Sequence, residues 1–152
     1  MNVKTILSLT AFAFCATGST AALAQAKPET LVKQRQAAMT LQGKYYYPIR
    51  AMAQGRVPYD AAIVTRNAAF LDGLSKMPWD GFNANTKDLK SGALPAIYTD
   101  TAKFKEHSDR LIAEATKLAA LTKGGDEAAV KAQILVVDKA CNACHDDFRE
   151  RQ

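Results

Sequence analysis

The chain has 152 residues and a formal net charge of +5, with 20 Lys and Arg against 15 Asp and Glu. This length predicts one domain. Hydrophobic residues make up 48% and charged residues 23%, a composition that excludes a disordered chain. The basic residues are interleaved with acidic ones instead of clustered, so we expect no nucleic-acid partner. Three cysteines are too few for a disulfide scaffold.

Residues 1–24 have the pattern of a cleavable signal peptide, which places the mature domain at residues 25–152. Lys4 precedes an apolar run that ends near Cys15, and small residues then lead to Ala22-Leu23-Ala24. The run has about ten residues, too few for the ~20 of a membrane-spanning helix. We therefore expect an exported, periplasmic protein whose mature chain is not inserted in a membrane.

Helical periodicity dominates the mature chain. The predicted helices cover about residues 28–55, 59–75, 100–122 and 126–149. Pro48 lies inside the first of them and should kink or split it near Tyr47. Helices joined by short outer connections predict an all-α fold, an antiparallel four-helix bundle.

The segment between the second and third predicted helices, residues 77–98, is rich in Pro, Gly and Asn. No part of it alternates strongly enough to predict a strand. Its larger apolar residues need a packing surface, and we expect them to cap the bundle: Trp79, Phe82, Leu94 and Ile97. The fourth helix carries an apolar face with steps of four and three: Val130, Ile134, Val137, Cys141, Cys144 and Phe148.

Residues 141–145 read Cys-Asn-Ala-Cys-His, the C-x-x-C-H signature of c-type haem attachment. Two thiols at this separation can add across the two vinyl groups of the porphyrin, and the adjacent His145 can then place a ring nitrogen on iron. Cleavage of the signal peptide removes Cys15, so the mature chain keeps only this pair. Three other interpretations are weaker, namely a thioredoxin-like redox pair without a βαβ pattern, a zinc site with too few ligands, and a plain disulfide.

A C-x-x-C-H motif on the last of four helices resembles the cytochrome c′ family, the class II cytochromes c. The resemblance covers nearly the whole mature chain. The stretches that carry it are Lys27-Pro28-Glu29, Arg35-Gln36-x-x-Met39, Pro58-Tyr59-Asp60, Pro78-Trp79-x-x-Phe82, Tyr98, Phe104, residues 139–145 and Phe148-Arg149.

The resemblance implies one haem c per chain, attached through Cys141 and Cys144, with His145 as the proximal iron ligand. It places Met39 on the distal side of the haem, where two states remain open. A five-coordinate, high-spin iron would bind NO and CO, and the aromatic segment around Trp79 favours this state. Alternatively, Met39 ligates the iron and gives a low-spin electron carrier with an unidentified redox partner.

Further site residues follow from the resemblance and from helical spacing. Arg35 lies one turn before Met39, so a haem propionate is its expected partner, with Gln36 adding a hydrogen bond. Arg149 lies four residues after His145 and is expected beside the proximal ligand. A solvated arginine remains the alternative at both positions. Trp79, Phe82 and Leu94 complete the predicted haem environment.

Three consecutive tyrosines, Tyr45, Tyr46 and Tyr47, lie on the first helix and cannot all be buried in one subunit. Family members commonly pair through helices one and two, so we expect a homodimer. The sequence contains no acid–base pair or nucleophile constellation, and we expect no enzymatic activity. A helical thiol-redox or interaction protein without haem is the third hypothesis.

Overall fold

A computed structural model describes residues 26–151; the predicted signal peptide lies outside the described residues. Within them the α-helices are α1 (Pro28–Ala53), α2 (Ala61–Ser75), the one-turn α3 (Ala96–Thr99), α4 (Thr101–Leu121) and α5 (Glu127–Phe148). The four long helices match the four predicted ones, with boundaries that differ by a few residues.

The four long helices form a closed bundle, which confirms the predicted fold class. Helix α1 packs on α2, α2 on α4 and α4 on α5, while α5 returns to α1 across a less closely packed interface. Apolar side chains at steps of three and four fill the centre, among them Ile49, Leu71, Leu118 and Ile134, each at most 1% exposed. Burying side chains of this size contributes about 1.5–3 kcal/mol each.

Aspartates begin three of the long helices. Asp60 accepts hydrogen bonds from the backbone N–H groups of Ala62 and Ile63, so it satisfies donors that the first turn of α2 leaves free. Asp100 accepts from the Lys103 N–H at the start of α4, and Asp126 accepts from the Ala129 N–H at the start of α5. The start of each of these three helices is therefore determined by an aspartate next to its first turn.

Pro48 does not divide the first helix. Helix α1 runs from Pro28 to Ala53 without interruption, so the predicted split near Tyr47 is wrong. A proline inside a helix costs about 3 kcal/mol because it removes one N–H donor and crowds the preceding turn. The buried side chains on either side, Tyr46 and Ile49, keep the helix in the bundle. The Asn67 amide of α2 also donates to the Tyr45 carbonyl in that preceding turn, at 3.0 Å.

Buried amide side chains join the helices across the core. Gln42 Nε2 of α1 donates to the Leu74 carbonyl at 3.1 Å, next to the Asn67 bond. On the other side, Gln133 Nε2 of α5 donates to the Glu114 carbonyl at 3.1 Å. Each amide ends on a backbone carbonyl of a neighbouring helix, so these bonds fix the register of the packed helices.

The middle segment contains two short 3₁₀ turns, Trp79–Gly81 and Ala84–Thr86, before α3. Both turns contact α1. Ile97 is 3% exposed, which agrees with the expected burial of this segment's apolar residues. None of the helices in residues 26–151 has the length and apolar character of a membrane span.

Replacing Asn67 should destabilise the bundle. We expect Asn67→Ala to lower the free energy of unfolding by about 1–3 kcal/mol, because it removes the buried hydrogen bond that joins α2 to the Tyr45 carbonyl of α1. Denaturant titration of the haem-loaded protein measures this. Thr65→Ala, an exposed position on the same helix, should change the free energy by no more than about 0.5 kcal/mol. Equal effects of the two substitutions would contradict the prediction.

Candidate functional site

A cavity of about 580 Å³ lies between α1, α5 and the middle segment. This volume falls within the roughly 300–1,000 Å³ that is usual for small-molecule and cofactor sites. The cavity occupies the interface where α1 and α5 are less closely packed than their neighbours.

Helix α5 forms one wall of the cavity and contributes Cys141, Cys144 and His145 to it. The two cysteines are free and half-buried. Burial, reinforced by the carboxylate of Asp138, raises the pKa of Cys141 to about 12. Burial and Asp147 raise the pKa of Cys144 to about 11. Both groups are therefore protonated thiols at neutral pH, whereas reactive redox cysteines have lowered pKa values.

His145 lies between these thiols and the end of α5, and its imidazole is half-buried. Burial lowers its pKa, and the positive charge of Arg149 lowers it further, while Asp146 acts in the opposite direction. The ring is therefore neutral near pH 7. A neutral imidazole has a free nitrogen lone pair, which is the form that binds a metal.

Helix α1 forms the opposite wall with one stripe of residues. Arg35, Met39, Gln42, Tyr46 and Arg50 line the cavity, at steps of four, three, four and four. Met39 is half-buried. The Tyr46 hydroxyl donates to the Ile134 carbonyl at 3.2 Å. Burial, with a further contribution from Asp138, raises the pKa of Tyr46, so this residue stays a neutral phenol.

Arg35 is the most heavily engaged side chain of the site, and it is only 3% exposed. Its Nη1 donates to the Gly81 carbonyl at 2.7 Å, to Thr86 Oγ1 at 3.2 Å and to the Tyr98 hydroxyl at 3.2 Å. Its Nη2 donates to Ser91 Oγ at 3.0 Å. One guanidinium thus joins α1 to four positions along the middle segment.

The acceptors around Arg35 are all uncharged. Its guanidinium carbon also lies 4.2 Å from the centre of the Phe82 ring, a cation–π contact. Among residues 26–151, no carboxylate forms an ion pair with Arg35. A buried cation without an anion is costly. Because Arg35 lines the cavity, a carboxylate of a bound group can supply the missing charge.

Aromatic rings form the apolar part of the cavity wall. The centres of the Phe82 and Phe104 rings are 5.0 Å apart, and those of Phe104 and Phe148 are 5.3 Å apart. The centres of the Trp79 and Phe104 rings are 5.8 Å apart, and Trp79 Nε1 donates to the Ser75 carbonyl at 2.6 Å. These edge-on contacts hold a rigid apolar surface against which a flat macrocycle can pack.

The structure places the sequence-predicted site residues around this one cavity, with one exception. Those that line it are Arg35, Gln36, Met39, Trp79, Phe82, Cys141, Cys144, His145 and Arg149. Gln36 and Arg149 are exposed residues at its edge. Leu94 is not among the lining residues; its backbone N–H instead donates to the Phe148 carbonyl at 3.0 Å.

Sequence reasoning missed an ion pair on the wall. Arg50 Nε lies 3.1 Å from Asp138 Oδ1, and both residues line the cavity. The pair is close but lacks hydrogen-bond geometry, since the buried Nε has no hydrogen-bond partner. Helical spacing carried a signal for both residues, because Asp138 lies three before Cys141 and Arg50 lies eleven after Met39. Phe104 has a signal only in the family resemblance, and Ser91 has no signal in the sequence.

The donor set fits a covalently bound haem. It combines two protonated thiols three residues apart, a neutral imidazole next to them, a buried cation without an anion, and an aromatic wall. The family model described as Cytochrome C′ matches residues 30–149. The chain belongs to the cytochrome c′ family.

Individual relatives agree with this membership. Cytochrome c′ of Rubrivivax gelatinosus is 39% identical over 126 residues, which cover 82% of this chain and 98% of the relative. The structure of cytochrome c prime from Shewanella frigidimarina has a TM-score of 0.79 and 30% identity, covering 84% of this chain and 99% of that one. A nitric oxide complex of a mutant of cytochrome c prime from Alcaligenes xylosoxidans has a TM-score of 0.76 and 35% identity, with coverage of 84% and 99%.

The cytochrome c′ family binds haem c covalently, and this chain is a c-type haem cytochrome. The C-x-x-C-H cysteines are Cys141 and Cys144. The haem-free alternatives, a thiol-redox protein and a zinc protein, are therefore set aside. The assignment of each lining residue to a contact with the haem remains a prediction.

The contact between the middle segment and α1 depends on the absence of a side chain at Gly81. A Cβ there would lie 3.0 Å from the Leu31 carbonyl oxygen and 3.1 Å from Arg35 Cβ. We expect Gly81→Ala to destabilise the haem-loaded protein by about 1–3 kcal/mol, measured by denaturant titration.

Gly73→Ala is the matched control, because a Cβ at this helical position meets nothing within 4 Å. It should stabilise the protein by about 0.5–1 kcal/mol through its higher helix propensity. A Gly81→Ala variant as stable as the wild type would contradict the prediction.

Proposed function

We propose that this chain is a periplasmic cytochrome with a five-coordinate, high-spin haem that binds NO and CO. The observation that carries the proposal is the composition of the cavity: His145 lies on one wall, and the described lining residues include no second histidine and no lysine. The nitric oxide complexes of the Alcaligenes relative support gas binding at such a site. The signal-like pattern of residues 1–24 supports export.

In this proposal each wall has a separate role. Cys141 and Cys144 would hold the haem through thioether bonds, and His145 would bind its iron. Arg35 would neutralise a propionate, and Gln36 at the cavity edge would add a hydrogen bond. When bound, the haem supplies an iron centre that takes up small gases and exchanges single electrons. The aromatic wall excludes water from the centre.

Tyr46, the buried phenol of the wall, does not compete for the sixth iron position. Its hydroxyl already donates to a backbone carbonyl, and burial raises its pKa, so the phenolate that could bind iron does not form at neutral pH. His107 is not a lining residue, and its Nε2 lies 3.0 Å from Asp147 Oδ2. Met39 is therefore the side chain that decides the coordination state.

Met39 ligation gives the second candidate function, a low-spin electron-transfer cytochrome with His145 and Met39 on iron. The observation in its favour is that both side chains line the same cavity. A methionine–histidine pair raises the reduction potential and suits electron transfer. We favour the five-coordinate form because the aromatic segment around Trp79 resembles that of high-spin members. Both candidate functions are non-enzymatic.

The coordination state can be read from the optical spectrum. We expect the ferrous protein to lack a sharp low-spin α-band and to change its spectrum on addition of CO or NO. Met39→Leu should then leave the resting spectrum nearly unchanged, because a non-ligating apolar side chain is replaced by another of similar size.

Met52→Leu is the matched control, a buried methionine of α1 that is not a lining residue. A sharp α-band that is lost in Met39→Leu and kept in Met52→Leu would overturn the five-coordinate state and favour Met39 ligation. Loss of the haem on denaturation would overturn both candidate functions.

The outer surface of α1 and α2 supports the proposed homodimer. Of the three tyrosines only Tyr46 is buried, while Tyr47 is 63% exposed. Tyr45 packs on Phe70 of α2 with ring centres 4.6 Å apart, and Phe70 itself is 47% exposed. Leu41 is a further exposed apolar residue of α1. Apolar patches of this kind mark interaction surfaces in soluble proteins.

Substituting Phe70 should separate the dimer. We expect a dimeric mass for the wild type in light scattering and a monomeric mass for Phe70→Lys, because an ammonium group would be placed at the apolar contact. Leu135→Lys, at an exposed position on α5, should remain dimeric. A monomeric wild type would exclude the homodimer.

A further inference from the structure

Residues 91–94, which we call the strap, join α1 to the C-terminal end of α5. Ser91 Oγ accepts hydrogen bonds from Arg35 Nη2 at 3.0 Å and from the Ala93 N–H at 3.3 Å. The same hydroxyl therefore anchors the strap to the buried guanidinium and shapes the backbone two residues further on. Ser91 is half-buried and lines the cavity.

The strap pairs with the chain directly after α5. The Leu94 N–H donates to the Phe148 carbonyl at 3.0 Å, and the Glu150 N–H donates to the Gly92 carbonyl at 2.9 Å. These bonds form an isolated antiparallel bridge in which Ala93 lies opposite Arg149. Arg149 thus has a backbone hydrogen bond on each side of it and takes an extended conformation, with φ −125° and ψ 137°.

This arrangement fixes the backbone of Arg149, although the side chain of Arg149 is exposed. Helix α5 ends at Phe148, and the Arg149 N–H makes the last helical hydrogen bond, to the His145 carbonyl at 3.1 Å, so beyond Arg149 no helical hydrogen bonds hold the backbone. The strap replaces them and directs Arg149 to the cavity edge, near His145. Without the strap, the residues that follow α5 would fray, as exposed helix termini do.

We propose that Ser91, through the strap, is a positioning residue for Arg149. Arg35 anchors Ser91, Ser91 holds the strap, and the strap fixes the arginine charge beside the iron ligand. The proposal rests on the proposed function only in that His145 binds the haem iron. It applies equally to five-coordinate and to Met39-ligated iron.

Amide hydrogen exchange of the haem-loaded protein tests the first step. Ser91→Ala removes the acceptor for Arg35 and for the Ala93 N–H, so exchange at the Leu94 and Glu150 amides should become about three- to tenfold faster. Ser91→Thr keeps the hydroxyl and should restore slow exchange. Thr99→Ala, which removes an exposed hydroxyl of α3, should leave both amides unchanged. Unchanged exchange at Glu150 in Ser91→Ala would overturn the proposal.

A double-substitution cycle on the haem reduction potential tests the second step. A positive charge near the iron favours the ferrous state, so Arg149→Gln should lower the midpoint potential. Ser91→Ala should also lower it, by less, because the arginine remains but is no longer held in place. In the Arg149→Gln background, Ser91→Ala should have no further effect.

The competing explanation is that Ser91 affects the reduction potential only by holding Arg35 near a haem propionate, and not by positioning Arg149. In that case Ser91→Ala would shift the potential equally in both backgrounds, which would overturn the proposal. The optical test with Met39→Leu is independent of this cycle. A wrong coordination state and a wrong role for the strap would therefore be recognised separately.

Discussion

The buried guanidinium of Arg35 holds the site together. It reaches from the middle of a bundle helix into a segment with little regular structure of its own, and it satisfies acceptors at Gly81, Thr86, Ser91 and Tyr98. Removing a charge from water is costly, and hydrogen bonds to neutral oxygens compensate this cost only in part. The same arginine therefore fixes the middle segment to α1 and has no anionic partner among the described residues, which is why we propose a haem carboxylate as its partner.

The cavity lies where α1 and α5 present several charged and polar side chains to each other. Met39, Tyr46 and Arg50 of α1 line the cavity on one side. Asp138 and the haem-binding motif of α5 line it on the other side. These side chains cannot interdigitate as closely as the aliphatic core between α2 and α4, and the space is left for a cofactor.

Burial sets the chemical state of each group on the walls. The thiols and the Tyr46 phenol are kept protonated, and His145 is kept neutral, by the same removal from water. The thiols are thus poorly suited to redox exchange, the phenol is poorly suited to bind iron, and the imidazole is ready for it. Burial thus leaves protonated thiols, a protonated phenol and a neutral imidazole, and all three states agree with a c-type haem protein.

The sequence by itself determined the four helices and the haem-binding motif, because these depend on side-chain periodicity and on the spacing of a few residues. It placed Arg35 and Met39 on the cavity side of α1 for the same reason. Arg149 lies beyond the end of α5 in an extended conformation, so helical spacing alone did not determine its position. Only the tertiary structure decided that α1 continues through Pro48, since the packing of Tyr46 and Ile49 outweighs the lost backbone bond. It alone assigned Leu94 a backbone role, paired Arg50 with Asp138, and brought Ser91 to Arg35. These contacts join residues distant in sequence and depend on how the helices pack, which no local pattern records.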